Sequence, residues 1–382
     1  MVLPTFKSSI STQIPKTFKS IIYSSHNAED PTKVLSIQNY TPKENLEDSI
    51  VLRTLAFPIN PSDINQLQGV YPSLPEKTLN YETKEPSAIA GNEGLFEVIH
   101  VPKNGSASDN VEDLKLGDWV IPLQANQGTW SNYRVFKNPA DLIKVNSLDF
   151  FTAATVSVNG VTAYQLVNNY VDWDPSGNEW IIQNAGTSIV SKLVTQIAKA
   201  KGIKTLSVIR DRDDFDSVAN TLEHKFKATK VISETQNNDE LFSRHELPKI
   251  LGANSRVRLA LNSVGGKSSS SIARKLENNA LMLTYGGMSK QPVILPTSLH
   301  IFKGLTSAGF WVTALNKKNP EMKRESVKEF TKLFENGYIR SPKDEIETVT
   351  WDTNTMSDDE ILQIVRDSIV KKGKKQMVVL KW

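Results

Sequence analysis

From about Phe151 to Gly309, short apolar runs alternate with stretches of helical period, and this rhythm constrains the fold more than any other feature of the chain. Glu179–Ala185 is a nearly continuous apolar run, as a strand buried on both faces requires. Ile189, Val190, Leu193, Val194, Ile197 and Ala198 follow at a spacing that lines one face of an α-helix. Gly202 ends that helix, and Lys204–Ile209 reads as the next strand. Phe215, Val218, Ala219 and Leu222 mark a second helix, and Val231–Ile232, Val257–Leu261 and Ala280–Tyr285 mark further strands. Strand, helix and strand in this order predict an α/β domain with a doubly wound parallel sheet.

The flanking regions have a different texture. Before about residue 150, apolar runs such as Ser49–Ala56, Gly94–Val101 and Asp118–Pro122 are broken by Pro, Gly and Asn. This predicts a β-rich, barrel-like domain, with exposed polar loops over Glu76–Ser87 and Lys103–Asp113. Beyond Pro320, Met322–Glu335 and Asp358–Val370 read as helices and Met377–Leu380 as a last strand. The expected order is a targeting segment over 1–15, a β-rich domain over 16–155, a dinucleotide-binding domain over 156–318, and a return to the first domain over 319–382.

The targeting segment rests on composition. Met1 to Asn27 carries no Asp or Glu, while Lys7, Lys16 and Lys19 are positive and Ser8, Ser9, Ser11 and Ser20 supply hydroxyls. That pattern suits a mitochondrial presequence, although arginine is missing; the alternative is a frayed start to the first domain. Phe18, Ile21, Ile22 and Tyr23 already read as a strand, so a presequence would end before about Lys16.

Composition narrows the chemistry. With 39% hydrophobic and 23% charged residues, the chain of 382 reads as globular. No apolar run reaches the roughly eighteen residues of a membrane span. The formal charge of +3 gives no general drive toward nucleic acid. Cysteine is absent, which removes disulfides and thiolate metal sites. His26, His100, His224, His245 and His300 are scattered with no ligand spacing, which argues against a catalytic zinc.

In a dinucleotide-binding crossover, the pyrophosphate sits on the turn after the first strand and on the following helix N-terminus. Here that turn is Asn184-Ala185-Gly186-Thr187-Ser188-Ile189-Val190, with one glycine in place of G-x-G-x-x-G. The hydroxyls of Thr187 and Ser188 are available for phosphate contacts; the bland alternative is a turn with a Ser/Thr N-cap. The next strand sharpens the reading: an NAD-selective site would carry an acidic residue at the strand tip, where Ile209 and Arg210 stand here, with Arg210 and Arg212 flanking Asp211. Arginine forks fit a phosphate, so turn, helix, strand and arginines together favour NADPH over NADH.

Longer segments then carry a resemblance. FPINPSDINQLQGVYP (57–72), GNEGLFEV (91–98), QANQGTWSNY (124–133), Ser157–Gly160, NSVGG (262–266) and TYGGM (284–288) resemble the medium-chain dehydrogenase/reductase superfamily, and within it the mitochondrial trans-2-enoyl-thioester reductases of yeasts. The resemblance covers essentially the whole chain. It implies a Rossmann-type domain beside a GroES-like β-barrel catalytic domain. Zinc-dependent members carry Gly-His-Glu where this chain has Gly91-Asn92-Glu93, in keeping with the missing ligands.

The implied activity is NADPH-dependent reduction of enoyl thioesters, carried on acyl carrier protein or coenzyme A, in the mitochondrial matrix and by a homodimer. Such a reaction needs a proton donor as well as a hydride, and a tyrosine phenol is chemically suited. Residue packing alone would leave Tyr71 as a loop aromatic; the resemblance assigns it, within GVYP, as the donor. By the same route Asn159, before the helix Gly160–Asn169, faces the nicotinamide. Thr187, Ser188, Ile189 and Val190 hold the pyrophosphate, and Arg210, Asp211 and Arg212 surround the 2′-phosphate. Tyr285, Gly286, Gly287 and Met288 bring backbone to the cofactor. Phe310, Trp311 and Val312 border the nicotinamide or acyl chain, or else form a subunit-interface strand. Lys375 reaches a cofactor phosphate, or else belongs to the solvated basic run Lys371–Lys375. Two other readings compete: quinone or enone reduction at the same cofactor site, and a nucleic-acid-binding regulator on a retired reductase fold. The second would need a basic face, and only the short Lys371–Lys375 run offers one.

Overall fold

The computed structural model describes residues 14–102, 113–174 and 176–382. The expected targeting segment over 1–15 lies outside the described residues except for Ile14 and Pro15, and the loop over 103–113 except for Asp113. The chain forms two compact units: Met1–Val158, Thr313–Glu325 and Ser341–Trp382 in the first, Asn159–Val312 and Ser326–Arg340 in the second. The stretch 319–382, expected to return as a whole to the first domain, is therefore divided, with residues 326–340 in the second unit.

In chain order the first unit holds β1 (Phe18–Tyr23), β2 (Ser36–Tyr40), β3 (Ile50–Pro58), β4 (Ala88–Ile89), β5 (Leu95–His100), β6 (Trp119–Pro122), β7 (Tyr133–Phe136) and β8 (Leu142–Lys144). The second holds β9 (Glu179–Gln183), β10 (Lys204–Ile209), β11 (Lys230–Ser233), β12 (Arg256–Asn262), β13 (Leu281–Thr284) and β14 (Thr306–Gly309). Strands β15 (Ile346–Asp352) and β16 (Lys375–Lys381) rejoin the first unit.

The second unit has the predicted doubly wound sheet. Among the described residues its order is β11-β10-β9-β12-β13-β14, and every pairing is parallel. The chain reverses direction across the sheet between β9 and β12, the switch point outside which α/β sheets bind ligands. The sheet is buried because its strands are apolar on both faces: Trp180, Ile182, Leu206, Val208, Ala260 and Met282 share one core. The first crossover helix, Ile189–Ala200, buries Leu193, Val194, Ile197 and Ala198 as its spacing predicts.

The first unit is β-rich, as expected. A sheet in the order β15-β16-β3-β5-β6-β8, with β7 on β3, stands beside a sheet β2-β1-β4. Among the described residues the larger sheet follows an open path from β15 to β8 and not a closed ring. Tyr23, Phe57, Trp130 and Trp351 fill its core against the helix Asp358–Val370. Asn60-Pro61-Ser62-Asp63 opens the helix Pro61–Gln68. Proline suits the first helical position because its missing N–H has no partner to lose there. Gly69 ends the helix with φ of 76°, and a side chain there would strike His26 at 2.9 Å, so glycine is required on both counts.

Candidate functional site

Apart from Asn159, every cofactor residue expected in the second unit stands at the carboxyl end of a parallel strand. The turn after β9 carries Thr187 and Ser188, β10 runs into Arg210–Arg212, β13 into Tyr285–Met288, and β14 into Phe310–Val312. Parallel pairing brings these ends to one edge of the sheet. Asn159 sits within a π-helical turn, Val156–Gly160, which passes into the helix Val161–Asn168.

The turn after β9 is held by strand ends on both sides. Gly186 N–H donates to the Val208 carbonyl at 2.9 Å. Asn184 Nδ2 donates to Asn262 Oδ1 at 2.8 Å, and Asn184 Oδ1 accepts from Ser263 N at 2.8 Å. These two buried asparagines tie β9 to β12 at the switch point, a role the sequence reading missed. Ser188 spends its hydroxyl as the N-cap, accepting from Ser191 N at 3.1 Å. Thr187 is exposed ahead of that helix.

The three residues after β10 are exposed but not equivalent. Arg212 engages Asp214 through both Nε and Nη2. Asp211 accepts from Thr235 N at 3.1 Å, which pins the loop to the first turn of the helix Glu234–Asn238 after β11. Among the described residues Arg210 has no hydrogen-bond or ion-pair partner. After β13, a side chain on Gly286 would meet Ser263 at 3.1 Å, whereas Gly287 has open space around it. Tyr285 Oη is buried with no hydrogen-bond partner among the described residues, and Met288 is exposed. Phe310 is buried edge-on to Tyr170, Trp311 is exposed, and Val312 begins a helix, so the strand ends at Gly309 before the apolar stretch. These features fit a dinucleotide: an open approach at Gly287, an orphaned buried phenol at Tyr285, an uncommitted guanidinium at Arg210 and a helix N-terminus.

In the first unit Tyr71 follows the helix Pro61–Gln68. Val70 N and Tyr71 N donate to the Asn65 carbonyl at 3.0 and 3.2 Å, and Tyr71 Oη lies 3.1 Å from Thr313 Oγ1. Behind it stands a buried polar cluster. Asp63 accepts from Asn60 N at 2.8 Å, Asn92 N at 3.0 Å and Asn92 Nδ2 at 2.7 Å. Glu93 accepts from Asn60 Nδ2 at 2.8 Å and Val158 N at 2.6 Å. Lys375 turns its ammonium to Asn60 Oδ1 at 2.5 Å, apart from the exposed Lys371, Lys372 and Lys374. Lys323, also buried, donates to the Pro122 carbonyl at 2.9 Å and Ser157 Oγ at 2.8 Å.

Burial dominates the ionisation of this cluster. It raises the Asp63 carboxyl to about 6, although hydrogen bonds and Lys375 pull it down. Glu93 is likewise pushed up, and Lys375 pushed down against the attraction of Glu93 and Asp63. Burial brings Lys323 to about 8. Asp63, Asn92, Glu93 and Lys323 were given no role from sequence. One signal was present: Asn-Pro-x-Asp is an N-cap, a first-turn proline and an N3 carboxylate.

No family model matches the chain. It is 70% identical over 384 residues to the mitochondrial enoyl-[acyl-carrier-protein] reductase of Saccharomyces cerevisiae, with 100% of both chains covered. It is 62% identical over 370 residues to an NADPH quinone oxidoreductase of Kluyveromyces marxianus, covering 97% of this chain and 95% of that one. Among solved structures, the Etr1p complex with NADP and crotonyl-CoA superposes with a TM-score of 0.86 at 41% identity, covering 95% of this chain and 99% of that one. The Etr1p/Etr2p heterodimer of mitochondrial 2-enoyl thioester reductase from Candida tropicalis gives 0.86 at 42%, with the same coverage.

Proposed function

Because the chain belongs to the family of mitochondrial enoyl-[acyl-carrier-protein] reductases, we propose that it reduces trans-2-enoyl thioesters to saturated acyl thioesters with NADPH. The match to the yeast reductase across the full length of both chains carries this reading. The Etr1p complex with NADP and crotonyl-CoA supports the cofactor and the substrate class. NADPH supplies the hydride for the β-carbon of the conjugated thioester. The chain's own residues do the rest. Thr187 and the N-terminus of the helix Ile189–Ala200 receive the pyrophosphate, with Ser188, Ile189 and Val190 shaping that turn. Arg210 meets the 2′-phosphate, while Asp211 and Arg212 fix its loop. Tyr285, Gly286, Gly287 and Met288 supply cofactor contacts in the second unit, as do Asn159, Phe310, Trp311 and Val312. Tyr71 gives its phenolic proton to the α-carbon, held by Thr313. Lys375, whose ammonium also meets Asn60, is the remaining candidate for a cofactor phosphate.

The protein acts in mitochondria, in the matrix, on substrates carried by acyl carrier protein or coenzyme A, and as a homodimer. For the dimer, β14 is an exposed edge strand, and Ile294, Ile301 and Phe302 expose apolar side chains in the same unit. The Kluyveromyces marxianus relative favours quinone reduction as a second reading. Oxidation of NADPH measured with crotonyl-CoA and with a quinone separates the two; quinone turnover without crotonyl-CoA turnover would reverse the assignment. Tyr71→Phe is expected to lower turnover of crotonyl-CoA about a hundredfold or more while NADPH binding persists. Near-normal turnover in that variant removes Tyr71 from the mechanism.

A further inference from the structure

The loop that carries Tyr71 is held on both sides. Before it, Gly69 N donates to the Gln66 carbonyl at 3.0 Å, and Val70 and Tyr71 bond to Asn65. After it, the Ser73 carbonyl accepts from Gln66 Nε2 at 2.7 Å, and Ser73 Oγ accepts from Asn126 Nδ2 at 2.8 Å. Gln66 Nε2 also reaches Asn126 Oδ1 at 2.7 Å. Gln66 and Asn126 are therefore the clamp on Ser73, and both are organised by one residue.

That residue is Asn92. Its Nδ2 donates to Asp63 Oδ1 and to Gln66 Oε1, each at 2.7 Å. Its Oδ1 accepts from Asn126 N at 3.2 Å and lies 3.3 Å from Gln66 Nε2, whose two protons go to the nearer Ser73 and Asn126 oxygens. The amide thus spends both donors and accepts from Asn126 N, all toward residues that frame the loop. It is 7% exposed, so each bond is made away from water and has a fixed direction. No aliphatic side chain at this place could orient Gln66 and Asn126 together. A carboxylate would lose both donors and would face the Asp63 carboxylate.

We propose that Asn92 is a positioning residue for the reduction: anchored on Asp63, it sets the Tyr71 loop through Gln66 and Asn126. The inference rests on Tyr71 as proton donor, and a double-mutant cycle keeps the two claims apart. kcat and KM for crotonyl-CoA and NADPH are measured for Tyr71→Phe, Asn92→Ala and the pair. Misplacing a proton donor by about an ångström costs on the order of a hundredfold, so Asn92→Ala is expected to lower kcat roughly tenfold to a hundredfold with NADPH KM nearly unchanged. In the Tyr71→Phe background the same substitution should change kcat by less than about twofold, because the group it positions is gone.

Equal fold-losses in both backgrounds, or an undiminished kcat in Asn92→Ala, overturn the role of Asn92 and leave Tyr71 standing. Near-normal turnover in Tyr71→Phe overturns the proton-donor reading and this inference with it. Should Asn92→Ala fail to fold, Asn126→Gly takes its place under the same criteria. Asn126 has φ of 62°, which glycine adopts freely, so that variant removes the side-chain bonds to Gln66 and Ser73 with little strain.

Discussion

At the scale of single residues, the two arginines after β10 show how an identical charge can be committed or available. Arg212 is locked to Asp214 within its own loop, whereas Arg210 is exposed and uncommitted. A hydrogen bond to a charged partner contributes about 1.5–3 kcal/mol, so Arg210→Ala is expected to raise the Kd for NADPH about tenfold or more. The Kd for NADH, which lacks the 2′-phosphate, should barely move. Arg212→Ala should give a smaller change, since its guanidinium is already paired. Titrations of both cofactors against both variants check this; equal losses for NADPH and NADH after Arg210→Ala would make the loop plain surface.

Among the elements, the helix Pro61–Gln68 couples the fold to pH. Asp63, at its N3 position, is buried and titrates at about 6 in the folded protein. In the unfolded chain an aspartate titrates at about 3.9. The folded state therefore holds the proton more tightly. The resulting stability is fully present below about pH 4 and is lost as pH rises through about 6. Asn cannot titrate, so the stability of wild type relative to Asp63→Asn should fall across that window, by an amount on the order of 2–3 kcal/mol. Denaturant midpoints of the two proteins at steps from pH 4 to 7 measure the difference. A difference that stays flat across the window would mean that Asp63 titrates normally.

For the whole molecule, the exposed edge of the parallel sheet bears on assembly. Thr306 N and Phe310 N donate inward, to the Ala280 and Thr284 carbonyls at 3.1 and 2.9 Å. Alternation along β14 then turns the Ser307 N–H outward, toward the free edge. Ser307→Pro removes that donor while sparing the pairing with β13. If a homodimer forms through this edge, light scattering should show the variant shifted to monomer with NADPH binding retained. A variant that stays dimeric would place the interface elsewhere.

What the sequence determined by itself was whatever depends on local period and chain order. The alternation from Glu179 to Tyr285 specified the parallel sheet, because strands buried on both faces must be apolar throughout and crossover helices must be amphipathic. It also specified that Thr187 and Arg210 fall just past strands and that Tyr285 ends one, and parallel pairing gathers such ends at one edge. Tyr71 stood out by resemblance and not by pattern, since no periodicity distinguishes a donor phenol from a packed one. Only the tertiary structure decided which polar side chains are spent and which are open. Asp63, Asn92, Asn126, Lys323 and Lys375 come from distant parts of the chain into one polar cluster, with Asp63, Asn92 and Lys323 buried and Asn126 and Lys375 half-buried. Their partners and shifted ionisation arise from the loss of water around them, a property of the packed fold that no window of sequence contains.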